Sequence, residues 1–119
     1  GLYGAINQIG GVINAYQKLE AAQNRLGVVF GQNEGQVRTE LLFLERQAQR
    51  LGIEFGTLSD QYSKFAIAAQ SGNFSLQATR EVFLGVAEAG RVAKLSTEQM
   101  GGVFQALEQI ISKGKIQSE

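Results

Sequence analysis

The stretch FSLQATREVFLGVAEAGRVAKLS, residues 74–96, contains one complete unit of the repeat that decides the fold. Each unit starts with an apolar residue and a polar residue able to end a turn, and an amphipathic helix follows. These starts lie 21 residues apart, at Phe74–Ser75, Leu95–Ser96 and Ile116–Gln117, and Ile53 falls in the same register. One helix and its turn cannot bury an apolar stripe alone, so the repeat predicts helices stacked on one another.

Aligning the units brings large apolar residues into columns on one face of each helix. The columns have the three-, four- and seven-residue spacing of a helical face that packs into a core. We therefore interpret the aromatic residues as core rather than as a cofactor site. The predicted core positions are Tyr62, Phe65, Phe83, Val86, Phe104, Leu107 and Ile111.

Polar residues at the start of each unit predict where the helices begin. Thr57, Ser75 and Ser96 are the expected N-caps of the third, fourth and fifth helices, since a hydroxyl there accepts a hydrogen bond from the first turn. Gly114 fits the left-handed position that ends the fifth helix. Residues 57–119 are thus predicted to form a bundle of three helix-turn repeats.

The first part of the chain, residues 1–56, is predicted to form an antiparallel helical hairpin. In its second helix, Glu40 is expected to lie off the apolar face. Glycines surround Val28, Val29 and Phe30, which we interpret as a flexible apolar tip, either a simple loop or a contact with a partner subunit. The fold class is therefore all-α with about five helices, and we expect one continuous domain excised from a longer protein.

The composition excludes several classes of function. The 119 residues include 11 basic and 11 acidic side chains, and this neutrality argues against dedicated nucleic-acid binding. Cysteine and histidine are absent, which excludes disulfides, thiolate nucleophiles, imidazole catalysis and the usual zinc sites. No apolar run is long enough to span a membrane. We expect no cofactor and no metal.

Two patterns could carry chemistry, and both have a simpler structural interpretation. Gly85 and Gly90 are spaced as in a phosphate-binding loop, but the required lysine is missing and the segment is helical, so close helix packing is favoured. Glu88 and Glu98 fall away from the apolar columns, as on a solvated face. A catalytic carboxyl would have to be buried beside a cleft. We predict that the chain is not an enzyme and has no small-molecule substrate.

Three segments resemble the conserved domain of tape measure proteins from long-tailed bacteriophages and prophages. They are the stretches Leu51–Phe65, Ser75–Phe83 and Gln109–Ile116. The last contains Ser-Lys-Gly-Lys, the most specific element of the resemblance. The similarity extends from about Leu41 to Glu119, and the first forty residues match only loosely.

The resemblance implies a structural protein of the phage tail. Such proteins set tail length, assist assembly and leave ahead of the genome during ejection, and they lie in the tail lumen of the virion after assembly in the host cytoplasm. Their implied partners are other tape measure copies, tail tube subunits and tail chaperones, and a homo-oligomer is an open alternative. Because a ruler should be one long helix, the frequent helix ends here suggest a folded terminal or docking domain. The alternative is a helical protein–protein interaction module of a non-phage scaffold.

Overall fold

A computed structural model describes the backbone of residues 2–118 and the side-chain surroundings of residues 14–114. Across that part of the chain the secondary structure is helical and contains no strand. The prediction of an all-α fold with five helices is therefore confirmed. The helices are α1 (Leu2–Val29), α2 (Glu34–Leu51), α3 (Phe55–Ser71), α4 (Leu76–Val92) and α5 (Thr97–Ser118).

The turns between helices repeat the same hydrogen bonds at 21-residue spacing. The backbone N–H groups of Ile53, Phe74 and Leu95 donate to carbonyl groups five residues earlier, at 2.9–3.0 Å. The residue before each donor has a left-handed φ, as in Gly52, Asn73 and Lys94. This is the hydrogen-bonding pattern of a Schellman motif, which satisfies carbonyl groups at the helix end.

The helix starts keep the same spacing and add one unit to the predicted repeat. Asn33, Glu54 and Ser75 are the N-caps of α2, α3 and α4. Ser96 pairs with Gln99 at the start of α5, since each accepts a hydrogen bond from the backbone N–H of the other. The unit at α2 is hidden in the sequence because a polar residue, not an apolar one, precedes Asn33.

Two predicted helix ends are wrong. Thr57 is not an N-cap: α3 begins at Phe55 after the N-cap Glu54, and Thr57 is a buried residue of its first turn. The 21-residue register had already placed the cap at 54, but Glu is not a typical capping residue. Gly114 does not end α5, which continues to Ser118. A glycine inside a helix costs only about 1 kcal/mol relative to alanine, so alone it is a weak stop signal.

The helices form two layers, and neighbours within a layer run parallel. In the first layer α1 lies beside α3, as shown by Arg25 pairing with Asp60 at 2.8 Å and Gln70 donating to the Val29 carbonyl oxygen at 2.7 Å. α5 lies on the other side of α3, which packs against all four other helices. α2 and α4 form the second layer. The predicted hairpin partner α2 is therefore a smaller neighbour of α1 than α3 is.

The core lies between the two layers. Four rings at predicted core positions, those of Tyr62, Phe65, Phe83 and Phe104, are completely or almost completely buried. Phe83 stacks on Phe104 with ring centroids 4.6 Å apart and meets the Tyr62 ring edge-on at 5.0 Å. The other three predicted positions are partly buried against this cluster, at Val86, Leu107 and Ile111.

The predicted apolar tip is mostly helical. Val28 and Val29 belong to the last turn of α1, and the connection to α2 begins at Phe30. Val29 and Phe30 pack partly buried against the core, whereas Val28 is 63% exposed. The flexible-tip interpretation is therefore wrong for two of the three residues, because contacts with the core hold the glycine-flanked segment in place.

The folded chain is far shorter than its summed helices. Its dimensions are 58 × 35 × 23 Å, with a radius of gyration of 15.3 Å. Within the described residues, none of the helices has the length and apolarity needed to cross a membrane.

Candidate functional site

The least expected feature of the fold is a carboxyl group buried beneath α4. Glu40 of α2 is 1% exposed, although the sequence analysis placed it off the apolar face. It follows Val37 by three residues and precedes Leu44 by four, and both of those residues are buried. This spacing puts Glu40 on the inner face of α2 and was the signal that could have located it.

Two side chains from other helices satisfy the buried carboxylate. The Arg80 Nε of α4 lies 3.1 Å from Oε1 and 3.2 Å from Oε2 of Glu40, and Arg80 Nη2 also donates to Oε1. The Tyr62 hydroxyl of α3 donates to Oε2. The Arg80 guanidinium also lies 4.4 Å from the centre of the Phe43 ring. The cluster of Glu40, Tyr62 and Arg80 therefore ties α2, α3 and α4 together.

The electrostatics of the cluster favour a neutral tyrosine and a charged arginine. Burial raises the pKa of Tyr62 far above its ordinary value, and the hydrogen bond to the neighbouring Glu40 carboxylate raises it further. The hydrogen bond to Glu40 also raises the pKa of Arg80, so the guanidinium remains charged. Buried charges are tolerated when they are paired and hydrogen-bonded in this way.

An open cavity of about 500 Å³ lies beside the cluster. Phe30, Thr39 and Leu76 contribute to its wall, together with Glu40 and Arg80. Both carboxylate oxygens of Glu40 are already occupied by donors from within the chain, so neither is free to exchange a proton with a bound molecule. The arrangement fixes three helices relative to one another and has the geometry of a structural cluster.

The other acidic residues considered in the sequence analysis lie at the surface. Glu88 pairs with Arg50 of α2 at 2.5 Å, and both side chains are about half exposed. Glu98 is exposed. Glu108 is partly buried against α5 and α3, and this burial raises the pKa of its carboxyl group. Within residues 14–114 no three acidic side chains converge as metal ligands would.

Glycines permit close approach at two helix contacts. A Cβ added at Gly90 of α4 would overlap Met100 Sδ of α5, whereas one at Gly85 would meet open space. The packing interpretation of this glycine pair therefore holds for Gly90 alone. At Gly56 of α3, an added Cβ would lie 2.9 Å from the backbone oxygen of Ala15 in α1. Close approach there accounts for the extensive contact between α1 and α3.

Comparison with known proteins supports the resemblance drawn from the sequence. The chain is similar to a probable tape measure protein of Salmonella phage Felix O1 (isolate Felix O1-VT1), with 32% identity over 124 aligned positions. The match covers 93% of this chain, so it includes most of the first forty residues. The chain spans 16% of the length of that relative. No protein-family model matches the chain, and no solved structure matches it.

Proposed function

Because this chain is a tape measure-like region, we propose that it is a structural and assembly domain of a phage tail tape measure protein. In that role it contributes to tail assembly, to the setting of tail length and to passage of the genome through the tail. It would contact other tape measure copies, tail tube subunits and tail chaperones. It would lie in the tail lumen of the virion, after assembly in the host cytoplasm.

Within such a protein, we propose that the region is a folded docking domain and not part of the ruler shaft. The observation that carries this proposal is the regular ending of its helices, through left-handed residues at 52, 73 and 94. A continuous helix over residues 2–118 would be about 175 Å long. The folded chain has a longest dimension of 58 Å.

A catalytic role receives no support from the acidic residues. A buried carboxyl beside a cavity is present at Glu40, but Arg80 and Tyr62 occupy both its oxygens. Glu88 is bound to Arg50 at the surface. We therefore propose a structural protein without enzymatic activity. The similarity to a phage protein also favours this role over a helical module of a non-phage scaffold.

The test is tail length in a phage whose tape measure gene carries this region. An in-frame deletion of residues 54–116 removes 63 positions, which correspond to about 90 to 100 Å of continuous helix. Abortive or absent tails in electron micrographs would support a folded domain required for assembly. Intact tails shortened by about 90 to 100 Å would make the region part of the ruler and overturn the proposal.

A length-neutral variant separates the loss of the fold from the loss of residues. Phe65 is completely buried, so Phe65→Asp should unfold the region without changing its length. We expect the same abortive phenotype as in the deletion. Gly102→Ala is the matched control, because a Cβ there meets nothing within 4 Å, and it should leave tails normal. Normal tails with Phe65→Asp would contradict the proposed need for a folded domain.

A further inference from the structure

One end of the layered fold exposes an apolar surface, which we call the end face. It consists of Val82, Ala89 and Val92 on α4 and Val103, Leu107 and Ile110 on α5. Val92 is 83% exposed and Ile110 is 64% exposed. None of the six side chains carries a charge or a hydrogen-bonding group. Contiguous apolar surface of this kind on a small protein marks an interaction site.

The repeat shows what kind of element the end face is shaped to receive. Positions two units, or 42 residues, apart are equivalent in neighbouring helices of one layer. Phe65 of α3 is covered by Phe104 of α5, and its equivalent Leu107 is only partly buried. Arg50 of α2 contacts α4, and its equivalent Val92 is almost fully exposed. The end face therefore has the register of an existing helix–helix interface, with the next pair of helices missing.

The opposite end of the fold has a different chemistry. There the exposed residues of α1 and α2 are mainly amides and charged groups, including Gln17, Glu20, Asn24, Glu45 and Gln49. Stacking copies head to tail would press these groups against the apolar end face and remove them from water without partners. The surface that complements the end face best is therefore another end face.

We propose that the end face binds the end face of a second copy of this chain and forms a two-fold symmetric dimer. Such pairing brings no like charges together, because the six residues are uncharged. The face is two helices wide and about three turns long, so pairing would bury roughly 1,000 Å² in total. This area lies at the lower end of specific interfaces, and the dimer should dissociate in the micromolar range or above.

Sedimentation velocity of the chain over about 1 µM to 1 mM tests the proposal. The wild type should shift from monomer to dimer as concentration rises, without larger assemblies. Val92→Lys should raise the dissociation constant at least tenfold, since each dimer contains the added charge twice. Val28→Lys is the matched control, because Val28 is an exposed valine of α1 outside the end face, and it should leave the dissociation constant unchanged.

Ile110→Lys provides a second variant on the other helix of the end face. It should weaken the dimer as Val92→Lys does, and circular dichroism should show that all three variants keep the helical content of the wild type. A chain that stays monomeric over the whole range would overturn the proposal and leave the face to another occupant, such as helices of a longer protein. A dimer weakened by Val28→Lys and not by Val92→Lys would also overturn it.

Discussion

The buried cluster gives a prediction in which two single substitutions differ although they break the same ion pair. Arg80→Met leaves Glu40, which is 1% exposed, without its cation and with no route to water. Removing one partner of a buried pair in this way costs about 3 to 5 kcal/mol of unfolding free energy. Glu40→Met leaves the Arg80 side chain, which is 30% exposed and can turn into solvent. Its main cost is then the unpaired Tyr62 hydroxyl, about 1 to 3 kcal/mol.

Replacing the whole cluster should recover the lost stability. In the triple variant Glu40→Met, Arg80→Met and Tyr62→Phe, no buried polar group remains without a partner. Replacing a buried ion pair by apolar residues of similar volume is often neutral or stabilising, so the triple variant should lie within about 1 kcal/mol of the wild type. The Arg80→Met deficit should also shrink as pH falls, because protonation neutralises the unpaired Glu40 carboxyl.

Urea unfolding followed by circular dichroism measures all four proteins on one scale. The expected order of stability is wild type and triple variant first, then Glu40→Met, then Arg80→Met. An Arg80→Met loss below about 1 kcal/mol would refute the reasoning, because a buried unpaired carboxylate cannot be that inexpensive. A triple variant less stable than Arg80→Met would equally refute it, since the cluster would then be stabilising in itself.

Three further substitutions test the packing and one partly buried acid. Phe83→Ala should cost about 3 to 5 kcal/mol in urea unfolding, because its ring is fully buried between Tyr62 and Phe104; a loss below about 1 kcal/mol would place this face outside the core. Gly56→Ala should cost about 1 to 3 kcal/mol by forcing α1 away, whereas Gly85→Ala should stabilise by up to about 1 kcal/mol; equal effects would contradict the close approach. Burial raises the pKa of Glu108, so its proton stabilises the folded state as pH falls. Glu108→Gln should therefore raise the melting temperature at neutral pH and lose this advantage in acid.

The repeat was readable from sequence because it combines local signals at a fixed spacing. Ser75 and Ser96 precede amphipathic helices, and both hydroxyls accept hydrogen bonds from first-turn N–H groups. The αL residues Asn73 and Lys94 carry no equally strong sequence signal, since only the first is a residue that often adopts that conformation. Their position follows from the register and not from their own propensity.

The cluster around Glu40 was only partly accessible to sequence reasoning. Its spacing from Val37 and Leu44 predicts an inward side chain, but the general rule that charged residues lie outside points the other way. Its partner Arg80 is 40 residues away along the chain, and the two meet only because α2 and α4 pack side by side. Local patterns contain no information about such a pairing, which depends on the tertiary arrangement of the layers.

The most direct test of a folded domain is tail length in a deletion series that keeps the repeat in register. Removing residues 55–75 deletes one 21-residue unit, and removing residues 55–96 deletes two. Our account predicts that any tails that form have the wild-type length, while assembly fails when the fold is lost. Tails that shorten in steps, by about 32 Å for one unit and about 63 Å for two, would show that the region measures length as continuous helix and would contradict a folded docking domain.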